Sequence, residues 1–527
     1  MTQRVAACQI SDLEVGQMQQ FSVADQEILL ARLETGFYAT AAHCSHYGAP
    51  LVNGVLQGDR VVCPWHNACF NVTSGAMLEP PGRNHLRQYP TEIEADTVYV
   101  KLPETAESAH VLPALAAPDT QADSRTFAIV GGGAAGSAAA EMLRQVGFQG
   151  KIIIFSDDSQ LPYDRTALSK SYLQSDTVND PSLLRSADFY QQYGIEVKTE
   201  VRVSQIDVAA QQLTYGDSTL RYDALLLATG GKIRQLPVAG ADLENVFTLR
   251  SAADAKAILR AAQTAKHAVI IGAGFIGMEV AASLKQQGLS VTVVAPSSVP
   301  FEKVLGKPVG QLFQQIHQAQ GVQFRLGTKA TELQGDTQVK SVVLENGETL
   351  QADLAVVGIG VDPATELAQG LALDDDDSSI LVNQYLQAAP GVYAAGDIAK
   401  FPHFMTGEPV RIEHWRLALQ HGRIAACNMA GQTVPFKAVP FFWTGQFDIK
   451  LRYIGHAESW DDLIIQGSLD NKSFLAFYSQ AGQVLAVAGA GRDRDIAAIS
   501  ELMRLGQMPA AEAIKKTDID WSKQLAK

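Results

Sequence analysis

Along residues 1–103 apolar and polar positions alternate in short runs separated by turn residues, as in Glu27–Leu33, Gly36–Ala42, Arg60–Cys63 and Thr97–Leu102. That period of two predicts a small all-β domain. Residues 104–125 are rich in Ala and polar residues and keep no sustained period, which reads as a linker. A tether of this kind raises the effective concentration of the small domain beside whatever follows it. From Thr126 the pattern changes: a short apolar strand, Thr126–Val130, a glycine turn, a small-residue helix, Ser137–Val146, and a second apolar strand, Lys151–Phe155. Another strand is predicted over Tyr222–Thr229, and the strand, turn, helix and strand order then returns as His267–Ile271, Ile276–Gln287 and Val291–Val294. A run over Val392–Ile398 that ends in Gly396 and Asp397 and a helix over Leu417–Met429 follow. The chain is therefore multidomain, with an all-β part ahead of two α/β folds.

Gly131, Gly133 and Gly136 stand at the G-x-G-x-x-G spacing between strand and helix, and Gly272, Gly274 and Gly277 repeat it. In a dinucleotide site the first glycine turns the chain tightly, the second lets the backbone approach the pyrophosphate, and the third lets helix pack on strand. The helix N-terminus then faces the anion. Three glycines alone are as often an ordinary tight turn, so the flanking residues matter. The strand after the first set ends at Ser156, Asp157 and Asp158, which places Asp157 to take an adenosine ribose. The strand after the second ends at Ala295, followed by Pro296, Ser297 and Ser298, so both the acid that reads a free ribose and an arginine for a 2′-phosphate are missing. Two Rossmann-like folds imply two nucleotides, FAD first and NADH or NADPH second, with NADH somewhat favoured.

The β part holds two Cys/His pairs, Cys44 with His46 and Cys63 with His66, with sixteen residues between His46 and Cys63. Two thiolates on one iron and two imidazoles on the other make a Rieske [2Fe-2S] centre. A tetrahedral, redox-silent zinc with the same four ligands competes with it, as do four unrelated buried side chains. Cys69 reads as a buried thiol and not a ligand.

Hydrophobic residues make up 46% of the 527-residue chain and charged residues 19%, ordinary values for a globular protein with several cores. No apolar run is long enough to span a bilayer, and the opening MTQRVAACQI lacks a signal-peptide core, so the chain is expected in the cytoplasm. A net charge of −14 argues against a nucleic-acid partner. Five scattered cysteines suit a reducing compartment, and the absence of a Cys pair near the flavin motifs excludes a disulfide reductase mechanism.

The segment LPYDRTALSK, Leu161–Lys170, is no generic turn. With the two glycine sets it resembles the two-dinucleotide flavoprotein reductases, which include oxygenase-coupled ferredoxin reductases and apoptosis-inducing-factor-like proteins, over about Thr126–Thr444. HCSHYGAPL and CPWHNACF resemble the ligand loops of Rieske ferredoxins, although Asn67 replaces the usual Gly at a place where positive φ is wanted. The resemblance implies a Rieske domain over 1–103, a linker over 104–125, an FAD-binding domain in two parts over 126–250 and 373–433, an NAD(P)H-binding domain over 251–372 and a C-terminal α+β reductase domain over 434–527. It implies that Asp157 reads the FAD ribose, that Arg165 and Lys170 lie along the flavin, and that Thr229 and Gly230 return the chain to it. Val356–Pro363 would be the strand leading back towards the flavin domain, Gly396 and Asp397 would meet the ribityl chain, and Glu413, His414, Trp415 and Trp443 would lie near the isoalloxazine. Glu279 would pair with Lys170 at the reacting edge as the catalytic pair. Several of these residues also have plain structural readings: Arg165 and Lys170 as a surface pair, Glu279 as a first-turn helix acid, and His414 and Trp443 as packed core.

The implied activity is an NAD(P)H-dependent flavoprotein reductase whose fused Rieske cluster carries single electrons to a ferredoxin-, cytochrome- or oxygenase-type protein acceptor. The alternative is a redox sensor with slow NADH oxidation. Homo-oligomerisation stays open. High-potential Rieske proteins carry hydroxyl residues at the positions of Ala68 and Phe70, so a low-potential cluster is expected.

Overall fold

The computed structural model describes residues 2–23, 26–103, 107–517 and 519–525. The N-terminal part is all β. One sheet pairs Thr2–Gln9, Thr97–Pro103 and Thr91–Glu94; a second runs Gln88–Tyr89, Gly36–Ala41, Gln26–Leu33 and Met18–Val23. A third, of four short strands, Val55–Gln57, Arg60–Val62, Cys69–Asn71 and Met77–Glu79, carries the second Cys/His pair on the loop between its middle strands. Residues after the domain are laid down on both neighbours: His110–Val111 pairs with His85–Leu86, and the amides of Ala116 and Asp119 donate to Arg144 and Gln149.

The first α/β fold is a six-stranded sheet in the order Ile195–Lys198, Lys151–Phe155, Thr126–Val130, Ala224–Leu227, Val392–Ala394 and Gln387–Ala389, parallel except for the last strand. Its middle strands are buried along their length, which is why they read as continuous apolar runs and not as alternation. Register aligns Val130 with Leu227 and Leu227 with Ala394. The chain therefore leaves the sheet at one common edge at Gly131, Ala228 and Ala395. The second fold is a five-stranded parallel sheet, Val246–Thr248, Leu354–Val357, His267–Ile271, Ser290–Ala295 and Gln323–Leu326. Ile271 is level with Val294 and Val357, so Gly272, Ala295 and Gly358 share an edge in the same way.

The predicted strand Val356–Pro363 is two strands, Leu354–Val357 and Val361–Pro363, separated by Gly358–Gly360. Gly358 passes against Gly277 and Gly360 has φ +106°, so the chain breaks here to round the second glycine turn before pairing with Gly231–Ile233. The helix predicted over Leu417–Met429 begins at Trp415. It packs on the first glycine helix, Ala134–Gln145, so closely that a Cβ on Gly422 would stand 2.0 Å from the Ala135 carbonyl oxygen. A five-stranded antiparallel sheet, Phe441–Gln446, Ile449–Gly455, Gln483–Ala490, Ser473–Gln480 and Asp462–Ser468, ends the molecule with Asp493–Arg504 packed on it. Among the described residues no helix is long and apolar enough to cross a membrane.

Candidate functional site

The two glycine turns are built alike. A Cβ on Gly131 would meet the Ala228 carbonyl oxygen at 2.1 Å and one on Gly136 the Gly131 carbonyl oxygen at 1.9 Å, whereas Gly133 has open space. Gly272 and Gly277 each face a carbonyl oxygen at 2.2 Å, and Gly274 again faces open space. The outer glycines are required by close backbone, and the middle one leaves room for a ligand. Neither helix has a side-chain cap at its N-terminus, so first-turn amides remain for an anion.

Both turns open into one cavity of about 760 Å³, within the size range of cofactor sites. Gly131, Gly133, Asp157, Arg165 and Lys170 line it from the first fold, with Thr229 and Gly230 at the neighbouring strand end. Asp158 is turned away and accepts from the Tyr163 hydroxyl at 2.7 Å. Gly396 and Asp397 reach the cavity from the third exit of the same sheet edge, followed by Glu413, His414 and Trp415 at the start of the packed helix. Burial brings the His414 imidazole down to about 3, so it is neutral, and its Nδ1 has no partner among the described residues. Gly274 and Glu279 come from the second fold and Trp443 from the C-terminal sheet. Gly136, Gly272 and Gly277 lie behind the turns. Among the described residues no cysteine lines this cavity.

Glu279 is 3% exposed and fully engaged: Lys170 Nζ stands 2.8 Å from Oε2, Ser169 donates to Oε2, and the Thr444 hydroxyl donates to Oε1 at 2.6 Å. A buried carboxylate without such partners would be costly, so Ser169 and Thr444 matter as much as Lys170. Sequence reasoning gave neither a role. Arg250 was missed as well; its guanidinium lines the cavity and donates to Asp397 Oδ2 at 2.8 Å. Ser169 and Thr444 adjoin named residues, which was the available signal, whereas nothing local marks Arg250.

The Cys/His loops are also built alike. Cys44 N donates to Ala49 O and Gly48 N to Cys44 O, and Cys63 N to Ala68 O and Asn67 N to Cys63 O. Gly48 (φ +72°) and Asn67 (φ +59°) occupy the same left-handed position. The Cys44 and Cys63 thiols are buried side by side, and His46 Nδ1 lies 3.0 Å from His66 Nδ1. Among the described residues no three such side chains converge to hold a single ion. Two thiols at one point and two imidazole nitrogens at another fit a two-iron cluster better than one tetrahedral zinc.

The histidine end of this centre abuts the large cavity. Trp443 has its ring centroid 4.3 Å from that of His66 and 6.0 Å from that of His46. The small domain is held there by Arg416, 1% exposed, which donates to Asn67 O at 3.0 Å, Pro80 O at 2.9 Å, Val439 O at 3.3 Å and the Glu79 carboxylate. Arg60 bridges Glu79 and Glu501, and Asn67 Nδ2 donates to Ser500 Oγ at 2.9 Å.

Residues 125–422 match the pyridine nucleotide-disulphide oxidoreductase family, residues 3–90 the Rieske [2Fe-2S] domain and residues 441–525 the reductase C-terminal domain. The chain belongs to the pyridine nucleotide-disulphide oxidoreductases. It is 40% identical to apoptosis-inducing factor 3 of Homo sapiens over 526 residues, 98% of this chain and 85% of the human protein. The crystal structure of the ferredoxin reductase for the CYP199A2 system of Rhodopseudomonas palustris superposes with a TM-score of 0.72 at 33% identity, covering 76% of this chain and 99% of that one. The covalent putidaredoxin reductase–putidaredoxin complex gives the same TM-score at 32% identity, covering 76% of this chain and 98% of that one. This family member is thus an FAD-dependent NAD(P)H oxidoreductase of ferredoxin-reductase type that also carries a Rieske [2Fe-2S] cluster.

Proposed function

We propose that the protein takes a hydride from NADH or NADPH at the large cavity and passes single electrons through its own Rieske centre to a protein acceptor. The observation that carries this reading is Trp443, which forms cavity wall on one side and touches His66 on the other. Flavin supplies the conversion of a two-electron input into one-electron outputs. The chain's residues supply placement: first-turn amides at Gly133 and Gly274 for the two pyrophosphates, Asp157 for the ribose of the first nucleotide, and the Lys170–Glu279 pair, fixed by Ser169 and Thr444, at the hydride-accepting edge. Arg165, Thr229, Gly230, Gly396 and Asp397 bound the remainder, and Glu413, His414 and Trp415 close the cavity from the packed helix. Cys44 and Cys63 would hold one iron, and His46 and His66 the other. A protein acceptor is supported by the likeness to putidaredoxin reductase in its covalent complex with putidaredoxin, a protein partner.

Anaerobic addition of NADH to the purified protein tests the reading. The flavin absorbance should bleach and the spectrum of a reduced Rieske cluster should follow in the same sample. Flavin bleaching with the cluster left oxidised would contradict it.

A further inference from the structure

The strand that should end in a ribose-reading acid ends in Ala295, 3% exposed. The loop after it is held by the segment that follows Gln323–Leu326, since Gly327 N donates to Ser297 O at 3.1 Å and Thr328 N to Ala295 O at 3.3 Å. It leads to Phe301, whose φ of +58° turns the chain, whose amide donates to Ala273 O in the glycine turn, and whose ring stacks on Phe275 at 4.6 Å. Glu302, the next residue, therefore begins its helix beside that turn. Its carboxylate points back to the loop: Ser298 N donates to Oε2 at 2.7 Å and Ser298 Oγ to Oε1 at 2.9 Å. Each oxygen keeps lone-pair capacity, and the side chain is 29% exposed. A nucleotide whose pyrophosphate lies over Gly274 runs its adenosine across the end of the second strand, the place where this carboxylate is fixed.

We propose that Glu302, presented by a helix and not by the strand end, binds the 2′- and 3′-hydroxyls of the adenosine ribose and makes the protein selective for NADH over NADPH. The inference rests on reading the second fold as the nicotinamide nucleotide site. The Ser298 amide, then its hydroxyl, hold the Glu302 carboxyl below the usual glutamate range, so a 2′-phosphate would meet a like charge. Of the nearby cations, Lys307 stands 3.8 Å from Glu302, and Lys303 lines the large cavity.

Calorimetric titration of the FAD- and cluster-loaded protein with NAD⁺ and with NADP⁺ tests this without turnover. Wild type should bind NAD⁺ more tightly. Glu302→Gln should weaken NAD⁺ about tenfold, the scale of a hydrogen bond to a charged group, and leave NADP⁺ equal or tighter. Adding Ala295→Glu to Glu302→Gln should restore NAD⁺. Intact binding with an unchanged NAD⁺ to NADP⁺ ratio in Glu302→Gln would overturn this proposal alone. Failure of wild type to bind either nucleotide would overturn the nicotinamide reading with it.

Discussion

The two Cys/His loops share one backbone and differ in what surrounds them. Each closes with the same pair of amide-to-carbonyl bonds, and each places its fifth residue, Gly48 or Asn67, at positive φ. The first loop touches the reductase more lightly: Tyr47 is 49% exposed, and its hydroxyl donates to the Asp164 carboxylate of the first α/β fold at 2.6 Å. The second is buried in the reductase, with the Asn67 carbonyl on Arg416, the Asn67 amide group on Ser500, and the Trp65 carbonyl on Arg452 at 3.2 Å. The ligand geometry thus belongs to the small domain, while the direction in which the histidine end faces the large cavity belongs to contacts with the reductase, most of them made by the second loop. Asn at position 67 serves both: it tolerates the left-handed backbone a glycine would, and its side chain reaches the neighbouring domain.

Breaking the second loop's anchorage should have the largest effect. Arg416→Met removes a buried guanidinium from three carbonyls and from Glu79, and should weaken the docked arrangement by about 3–5 kcal/mol, seen as a lowered thermal transition. NADH should still bleach the flavin, while cluster reduction slows and dithionite still reduces the cluster. A smaller, purely kinetic effect is expected from Trp443→Leu, which should slow cluster reduction more than flavin reduction. Equal slowing of both steps would place Trp443 with the hydride site and not between the two centres.

Acidification tests the same anchorage without mutation. Burial alone would raise the Glu79 carboxyl, but Arg416 and Arg60 outweigh it and hold it below its ordinary value of 4.5. Because its folded value is depressed, the stability it contributes is present above that ordinary value and is lost as the pH falls through the lower folded one. Flavin-to-cluster transfer should therefore fall in acid below about 4.5 earlier in wild type than in Glu79→Gln, which has no carboxylate to protonate. The smallest effects should separate the loops themselves. Gly48→Ala has open space for its Cβ but is strained by φ, costing about 1–2 kcal/mol. Asn67→Gly keeps the turn and loses only the bond to Ser500, about 0.5–1.5 kcal/mol.

Much of the fold was legible because it is written in local patterns. Strands Thr126–Val130, Lys151–Phe155 and His267–Ile271 fall where the apolar runs predict them, since strands buried in a parallel sheet carry no polar face. The Cys/His spacing likewise marks two equivalent loops. The break at Gly358–Gly360 was hidden because it answers the close approach of the Gly358 carbonyl to Gly272, distant in sequence. The same holds for Arg416, Arg250, Ser169 and Thr444, whose partners lie far away in sequence. Arg416 reads as an ordinary helix arginine until Glu79 and the Asn67 carbonyl are brought against it.

On this reading flavin and cluster exchange electrons within one chain across the Trp443–His66 contact. Stopped-flow mixing of the protein with saturating NADH under anaerobic conditions, followed at the cluster absorbance over a wide range of protein concentrations, tests it most directly. The cluster reduction rate constant should not change with protein concentration. A rate constant rising in proportion to concentration would mean that electrons pass between molecules, and would contradict it.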